Sequence, residues 1–157
     1  MNICLLMIGQ TENPLLKELI EVYVKRLNNY VKFDIQCIPA LKNTKKLSFE
    51  HKSYKEGQAI IKALKPTDRV FLLDEHGTQM KSKVFAQYMQ KQLNSGVKKL
   101  VFIIGGAYGF SEDVKSRAQG SISLSIMTFN HQMVRLFMVE QCYRAFSILR
   151  GEPYHND

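Results

Sequence analysis

The chain is short of cysteine, short of acid, and free of long apolar runs. Its three cysteines are Cys4, Cys37 and Cys142, and no metal-ligand spacing relates them. Cys4 and Cys37 fall in apolar strand-like runs and Cys142 in a helical run, so buried, reduced thiols are expected. That state suits a cytoplasmic protein. No pair of histidines or acids has ligand spacing either, and no metal is predicted. Nothing approaches the ~18 uninterrupted apolar residues that a membrane helix requires, so no membrane partner is expected. The N-terminal "MNICLLMIGQ" is apolar but short, and it lacks a basic lead-in, so it reads as a first buried strand. There is no internal repeat and no composition shift that would mark a boundary. The 157 residues fit a single domain, 1–157. Acid is outnumbered: 22 Lys+Arg face 14 Asp+Glu, which leaves +8. Such an excess favours polyanions, nucleic acid first, although a basic surface that serves solubility alone has the same balance.

What is present is an alternation of strands and helices. Hydrophobic residues make up 45% of the chain, enough for a real core. Ile3 to Ile8 is continuously apolar and suits a strand buried on both faces. Asn13 caps a helix with Pro14 at its first position, and Leu15, Leu16, Leu19, Ile20, Tyr23 and Leu27 recur at helical spacing up to Asn28-Asn29. "VKFDIQCIP" is a second strand. The lysine-rich "ALKNTKKLSFEHKSYKEGQ" is expected to be a mobile loop entering a helix around Tyr54 to Leu64; it is either a solvated linker or a substrate-facing basic segment. "RVFLLDEHG" is a third strand, followed by a helix from Lys83 to Leu93 with Ser82 as its expected cap. "KKLVFII" is a fourth strand, running into "GGAYGF"; Ser111 then starts a short helix with Glu112 and Asp113 in its first turn. "GSISLSIMTF" is a fifth strand-like segment, and a long helix runs from about His131 to Leu149. The fold class is therefore α/β, a mostly parallel sheet with helices on both faces.

In such sheets ligands bind beyond the carboxyl ends of the strands. Three ends suit this: Leu73-Asp74, Gly105-Gly106 and Leu124 to Phe129. The glycine turn matches neither the G-x-G-x-x-G fingerprint nor a phosphate loop ending in G-K-[ST]. Acids at the start of the next helix also argue against phosphate there. A positively charged or neutral ligand fits better, such as the sulfonium of S-adenosylmethionine; a tight structural turn fits the spacing equally well. In "LSIMTF", backbone amides and the hydroxyls of Ser125 and Thr128 could read an adenine edge while Leu124 and Ile126 pack its face; a buried strand with satisfied serines is the alternative. His131 precedes the long helix, with Arg135 one turn later. Histidine exchanges a proton near neutral pH and arginine grips a phosphate. The helix is apolar on most sides, so one face is expected on the sheet and another on a second subunit. The tail holds Arg150, Tyr154 and His155, charge and stacking surface suited to unpaired RNA bases. His51 and His76 stand alone.

"FIIGGAYGFSEDV" followed by "SLSIMTFNHQMVRLFMVEQCYRAFSILRGEPYH" closely resembles the ribosomal RNA large subunit methyltransferase H family, of the SPOUT superfamily. "ICLLMIGQ", "KEGQ" and "LLDEHG" also fall in the family's order, so the resemblance covers the whole chain. It implies a C-terminal trefoil (α/β) knot, a homodimer, and S-adenosylmethionine-dependent methylation of N3 of a pseudouridine in 23S ribosomal RNA of assembled ribosomes. Carried over by position, the cofactor contacts are Leu73, Gly105, Leu124, Ser125, Ile126, Met127, Thr128 and Phe129. His131 and Arg135 are the expected catalytic residues; Arg135, Arg150, Tyr154 and His155 are the expected RNA contacts. The ending Asn156-Asp157 departs from the basic ending of some relatives. Two rival readings remain: a non-catalytic ribosome-binding or assembly protein of the same fold, and a methyltransferase or nucleotide-binding enzyme acting on small molecules.

Overall fold

The computed structural model describes residues 1–156; Asp157, half of the divergent ending, lies outside the described residues. The elements are β1 (Asn2–Ile8), α1 (Pro14–Leu27), β2 (Lys32–Ile38), α2 (Phe49–Ala63), β3 (Arg69–Gln79), α3 (Ser82–Asn94), β4 (Lys99–Ile104), α4 (Glu112–Arg117), β5 (Gly120–Ser123) and α5 (His131–Leu149). The strands form a single five-stranded sheet in the order β2-β1-β4-β3-β5. Every pairing is parallel.

Side chains alternate across this sheet with period two. Ile3, Leu5, Met7, Leu100, Phe102 and Ile104 face α1, α3 and α5. Cys4, Leu6, Ile8, Val101 and Ile103 face α2 and α4, whose Ile60 and Val114 complete that side. Helices thus cover both faces, as the unbroken apolar strands require.

The local expectations hold in part. Asn13 caps α1, its Oδ1 accepting from the Leu15 N–H at 2.9 Å and the Leu16 N–H at 3.3 Å. Helix α2 starts at Phe49 rather than near Tyr54, because the Ser48 hydroxyl caps it by accepting from the His51 N–H at 3.1 Å. Ser82 is no cap: α3 already includes it, Lys81 holds the capping position without a side-chain bond, and the Ser82 hydroxyl donates to Gln141 Oε1 at 3.1 Å. The fifth strand stops at Ser123. There Ser123 Oγ donates to the Ser125 carbonyl and Ser125 Oγ accepts from the Met127 N–H, both at 2.9 Å. These local bonds satisfy the backbone without a ladder, and the chain turns. Cys4 and Cys142 are buried as expected, but Cys37 is only half-buried because β2 is an edge strand. Burial pushes the Cys4 thiol up to about 12 and the Cys142 thiol up as well, so neither is a nucleophile near neutral pH.

Helix α5 is buried along much of its length, and α1 and α3 flank it. The chain itself therefore supplies part of the cover that the sequence suggested would come from a second subunit.

Candidate ligand site at the strand ends

Beyond the carboxyl ends of β4 and β5, against the middle of β3, lies a cavity of about 440 Å³. That is the size of a small-molecule site. Its wall combines the middle of β3 (Leu73, Asp74, Glu75), the glycine turn after β4, the loop after β5, and the first turn of α5. Strand β3 does not end at Leu73-Asp74 as expected but runs on to Gln79, and only its pairing with β4 stops at Leu73. Of the expected cofactor contacts, Leu73, Gly105, Leu124, Ser125, Met127, Thr128 and Phe129 line it, and so does His131. Ile126 does not: it turns outward and is 81% exposed, because the serine-bonded turn rotates it away from the wall.

The loop is fixed at two points. Thr128 Oγ1 donates to Glu75 Oε2 at 2.8 Å, and the Phe129 ring packs against Phe137 with centroids 5.0 Å apart. The glycine turn is fixed from below. A Cβ at Gly105 would stand 3.0 Å from the Phe110 ring, and one at Gly106 would stand 2.7 Å from both carboxylate oxygens of Glu56. Glycine suits the turn by this close approach, since any side chain here would have to push Phe110 or the Glu56 carboxylate aside. Ser111 ends the turn and caps α4, accepting from the Val114 N–H at 3.4 Å.

The electrostatics differ from those of the chain as a whole. Among the described residues no lysine or arginine lines the cavity, whereas Asp74 and Glu75 do. Glu56 adds a carboxylate behind Gly106; it is 95% buried by its 5% exposure, and its Oε2 has no hydrogen-bond partner among the described residues. Burial holds the Glu56 pKa above the usual glutamate value. An acid-walled, partly apolar cavity in a basic protein favours a neutral or cationic ligand over a phosphate. Among the described residues no cluster of three or more histidine, cysteine or acidic side chains could hold a metal, and no helix is long and apolar enough to cross a membrane.

The expected RNA contacts are not at the cavity within one chain. Arg135 is only 1% exposed and points inward: its guanidinium donates to the Ile8 carbonyl at 2.8 Å and to Thr11 Oγ1 at 3.1 Å. This corrects the expectation of an RNA-facing arginine. The side chain belongs to the buried face of α5 and ties that helix to the end of β1. Burial lowers its pKa, and its Nε lacks a partner among the described residues. Arg150 stacks its guanidinium over Tyr30 at 4.5 Å, and Tyr30 donates to Glu152. Tyr154 donates to Glu140 Oε1 at 2.9 Å, lies 3.1 Å from the Tyr23 hydroxyl, and packs edge-on to Tyr143. His155 Nδ1 lies 3.3 Å from Arg144 Nη1. Helix rise puts Glu140 roughly 14 Å beyond His131 along α5, so the tail is folded against the far half of that helix.

Residue reasoning missed Glu75, Phe110, Asn130 and Val134 as wall residues, and Glu56 behind them. Only Glu56 left a readable signal. It stands one helical turn before Ile60, on the face that α2 buries.

Fold and cavity together define a parallel α/β protein whose cavity suits a small neutral or cationic ligand. A family model described as "Predicted SPOUT methyltransferase" matches residues 1–155. The chain is 55% identical over 156 residues to a "Ribosomal RNA large subunit methyltransferase H" of Flavobacterium johnsoniae, covering 99% of each. It is 50% identical over 157 residues to the protein of that name from Bacteroides thetaiotaomicron, covering 100% of each. The chain belongs to the ribosomal RNA large subunit methyltransferase H family, within the SPOUT methyltransferases. Among solved structures it resembles a SpoU methyltransferase, AviRb of Streptomyces viridochromogenes in complex with AdoMet, with TM-score 0.45 and 10% identity over 91% of this chain and 57% of that one.

Proposed function

We propose that this protein is an S-adenosylmethionine-dependent methyltransferase acting on N3 of a pseudouridine in 23S ribosomal RNA of assembled ribosomes. Family membership supports methyl transfer to ribosomal RNA. The observation that carries the cofactor is the cavity's chemistry: acids and apolar side chains, with no lysine or arginine among the described residues, where a strongly basic chain would otherwise supply them. S-adenosylmethionine, when bound, supplies a methyl group on a positively charged sulfur. Asp74, Glu75 and the buried Glu56 make the cavity favourable to that charge, and Leu124, Phe129 and Val134 offer apolar surface to an adenine.

The remaining work is alignment and removal of one proton. The N3 proton of pseudouridine lies between two carbonyls and is comparatively acidic, so modest help suffices. His131 is exposed at the first position of α5 and on the cavity wall; it positions the base or takes that proton. Arg135 serves from behind, by anchoring the same helical turn to the end of β1.

The tail is part of the reading as an intermolecular element. It is folded against the far half of α5 in its own chain, so its contribution to a pocket, through Arg150, Tyr154 and His155, goes to a second copy in a homodimer. The C-terminal trefoil knot and work in the cytoplasm, where assembled ribosomes are, belong to the same proposal.

The test is methyl incorporation into ribosomes lacking the modification, with mass mapping of the product nucleotide. Transfer to N3 of a pseudouridine, strongly reduced in His131→Ala and in a chain ending before Tyr154, is the expected result. Methylation elsewhere, or none with calorimetrically silent S-adenosylmethionine, overturns the proposal.

A further inference from the structure

Among the described residues no lysine or arginine lines the cavity to grip an RNA backbone, and the two cations of α4, the helix that follows the glycine turn, are engaged. Lys115 pairs with Glu112 at 2.8 Å, and Arg117 donates to the carbonyls of Lys65 and Asp68, both at 2.8 Å. Positive charge without such partners lies instead on the lysine-rich segment leading into α2, which reaches the glycine turn through Phe49 and Lys52. Residues 42–55 carry five lysines against one acid, Glu50. Lys42, Lys45, Lys46 and Lys55 are exposed and make no ion pair among the described residues.

Aromatic surface is interleaved with this charge. Phe49 is 62% exposed and Tyr54 53% exposed, which is unusual for side chains of that size. Phe49 meets the Tyr108 ring edge-on with centroids 5.5 Å apart, and Lys52 Nζ stands 5.2 Å from the same ring's centroid. Tyr108 is the link to the site, because Ala107 and Gly109 on either side of it line the cavity.

We infer that the capped start of α2, with Tyr108, is an RNA docking platform: an unpaired base stacks on the exposed Phe49 ring, which Tyr108 buttresses edge-on, while Lys45 and Lys46 hold flanking phosphates. Aromatic faces accept any base, and lysines track the backbone, so the platform binds single-stranded RNA next to the target nucleotide without reading its sequence. A segment that sequence alone leaves between linker and substrate contact becomes a substrate contact through its packing on the glycine turn. The inference rests on ribosomal RNA as the substrate.

The experiment measures methyl transfer to assembled ribosomes as a function of ribosome and salt concentration, together with binding of a single-stranded RNA oligonucleotide. Phe49→Ala is expected to raise KM for ribosomes about 5- to 150-fold, the range that loss of one stacked base gives, with kcat and cofactor affinity unchanged. Phe49→Tyr keeps the stacking face and is expected to restore KM. The double variant Lys45→Gln, Lys46→Gln should flatten the dependence of log affinity on log salt by about 1 to 2. Wild-type KM and salt slope in these variants, while the parent enzyme methylates normally, overturns the platform. If Phe49→Ala weakens ribosome binding but oligonucleotide affinity and salt slope stay at wild type, the surface meets a ribosomal protein and the RNA assignment fails. If the parent methylates no ribosomal RNA, the proposed function fails, and the oligonucleotide arm alone decides the platform: loss of affinity in the variants upholds it and wild-type affinity overturns it.

Discussion

Gly57 sits where α2 crosses the start of α4, and replacing it with alanine sets two effects of opposite sign against each other. In a helix interior, alanine is better than glycine by about 0.8–1.0 kcal/mol. Against this, a Cβ at Gly57 would stand 2.1 Å from Ser111 Oγ and 2.9 Å from Ser111 Cβ. Ser111 must move, and its hydroxyl then leaves the Val114 N–H that it caps. Losing such a cap costs about 0.5–2 kcal/mol, and forcing apart a packed contact costs about 1–3 kcal/mol. The clash wins, and Gly57→Ala is expected to destabilise by about 0.5–4 kcal/mol. At this chain length each kcal/mol lowers Tm by about 2–4 °C. Cofactor affinity should fall too, because Ser111 also terminates the glycine turn at the cavity. The decisive measurement repeats the substitution in a Ser111→Gly background. Glycine at a capping position loses only a few tenths of a kcal/mol relative to serine, and it removes both clashing atoms. The nearest remaining atom is Val114 Cγ2 at 3.4 Å, ordinary contact. Gly57→Ala should then stabilise by up to about 1 kcal/mol. Thermal melts of the four proteins read this reversal directly; the same loss in both backgrounds would refute the packing argument.

Other substitutions test the buried polar groups and the tail. Glu56 keeps its proton more readily folded than unfolded, so its contribution to stability is fully present below the ordinary glutamate value of 4.5 and is lost as pH rises through the raised folded value. Glu56→Gln should flatten that dependence and make the protein more stable than wild type at pH 8, as read by urea unfolding at pH 5 and pH 8. Arg135→Ala strips the bonds to Ile8 and Thr11 and opens a cavity, for an expected loss of about 2–4 kcal/mol in chemical denaturation. Arg135→Met should lose less, since it fills the space without a desolvated charge whose Nε has no partner among the described residues. Tyr154→Phe removes the hydroxyl that joins Glu140 and Tyr23, with an expected loss of about 1–2 kcal/mol and faster proteolysis after Arg150.

Much of the fold was written in local pattern. The unbroken apolar runs at Ile3 to Ile8 and Leu100 to Ile104 required a sheet covered on both faces, and α1, α3 and α5 against α2 and α4 provide that cover. Caps at Asn13 and Ser111 were legible because capping is a contact over two or three residues. Ser82 was misread for the complementary reason: its hydroxyl found a partner in α5, far along the chain, at Gln141. The end of the fifth strand was misread because serine hydroxyls can satisfy a backbone locally as well as pack in a ladder.

The site divides the same way. Strand ends, the glycine turn and the loop from Leu124 to Phe129 follow from the α/β alternation, which dictates where a ligand cavity opens. The sequence by itself determined that alternation, the cavity's approximate residues and the chain's positive balance. Only the tertiary structure decided which way each side chain faced. It buried Arg135 against β1, set Glu56 beneath Gly106, and joined Phe49 to Tyr108. These contacts join residues separated by dozens to more than a hundred positions. No local propensity encodes such a meeting; it exists only once the helices have packed on the sheet.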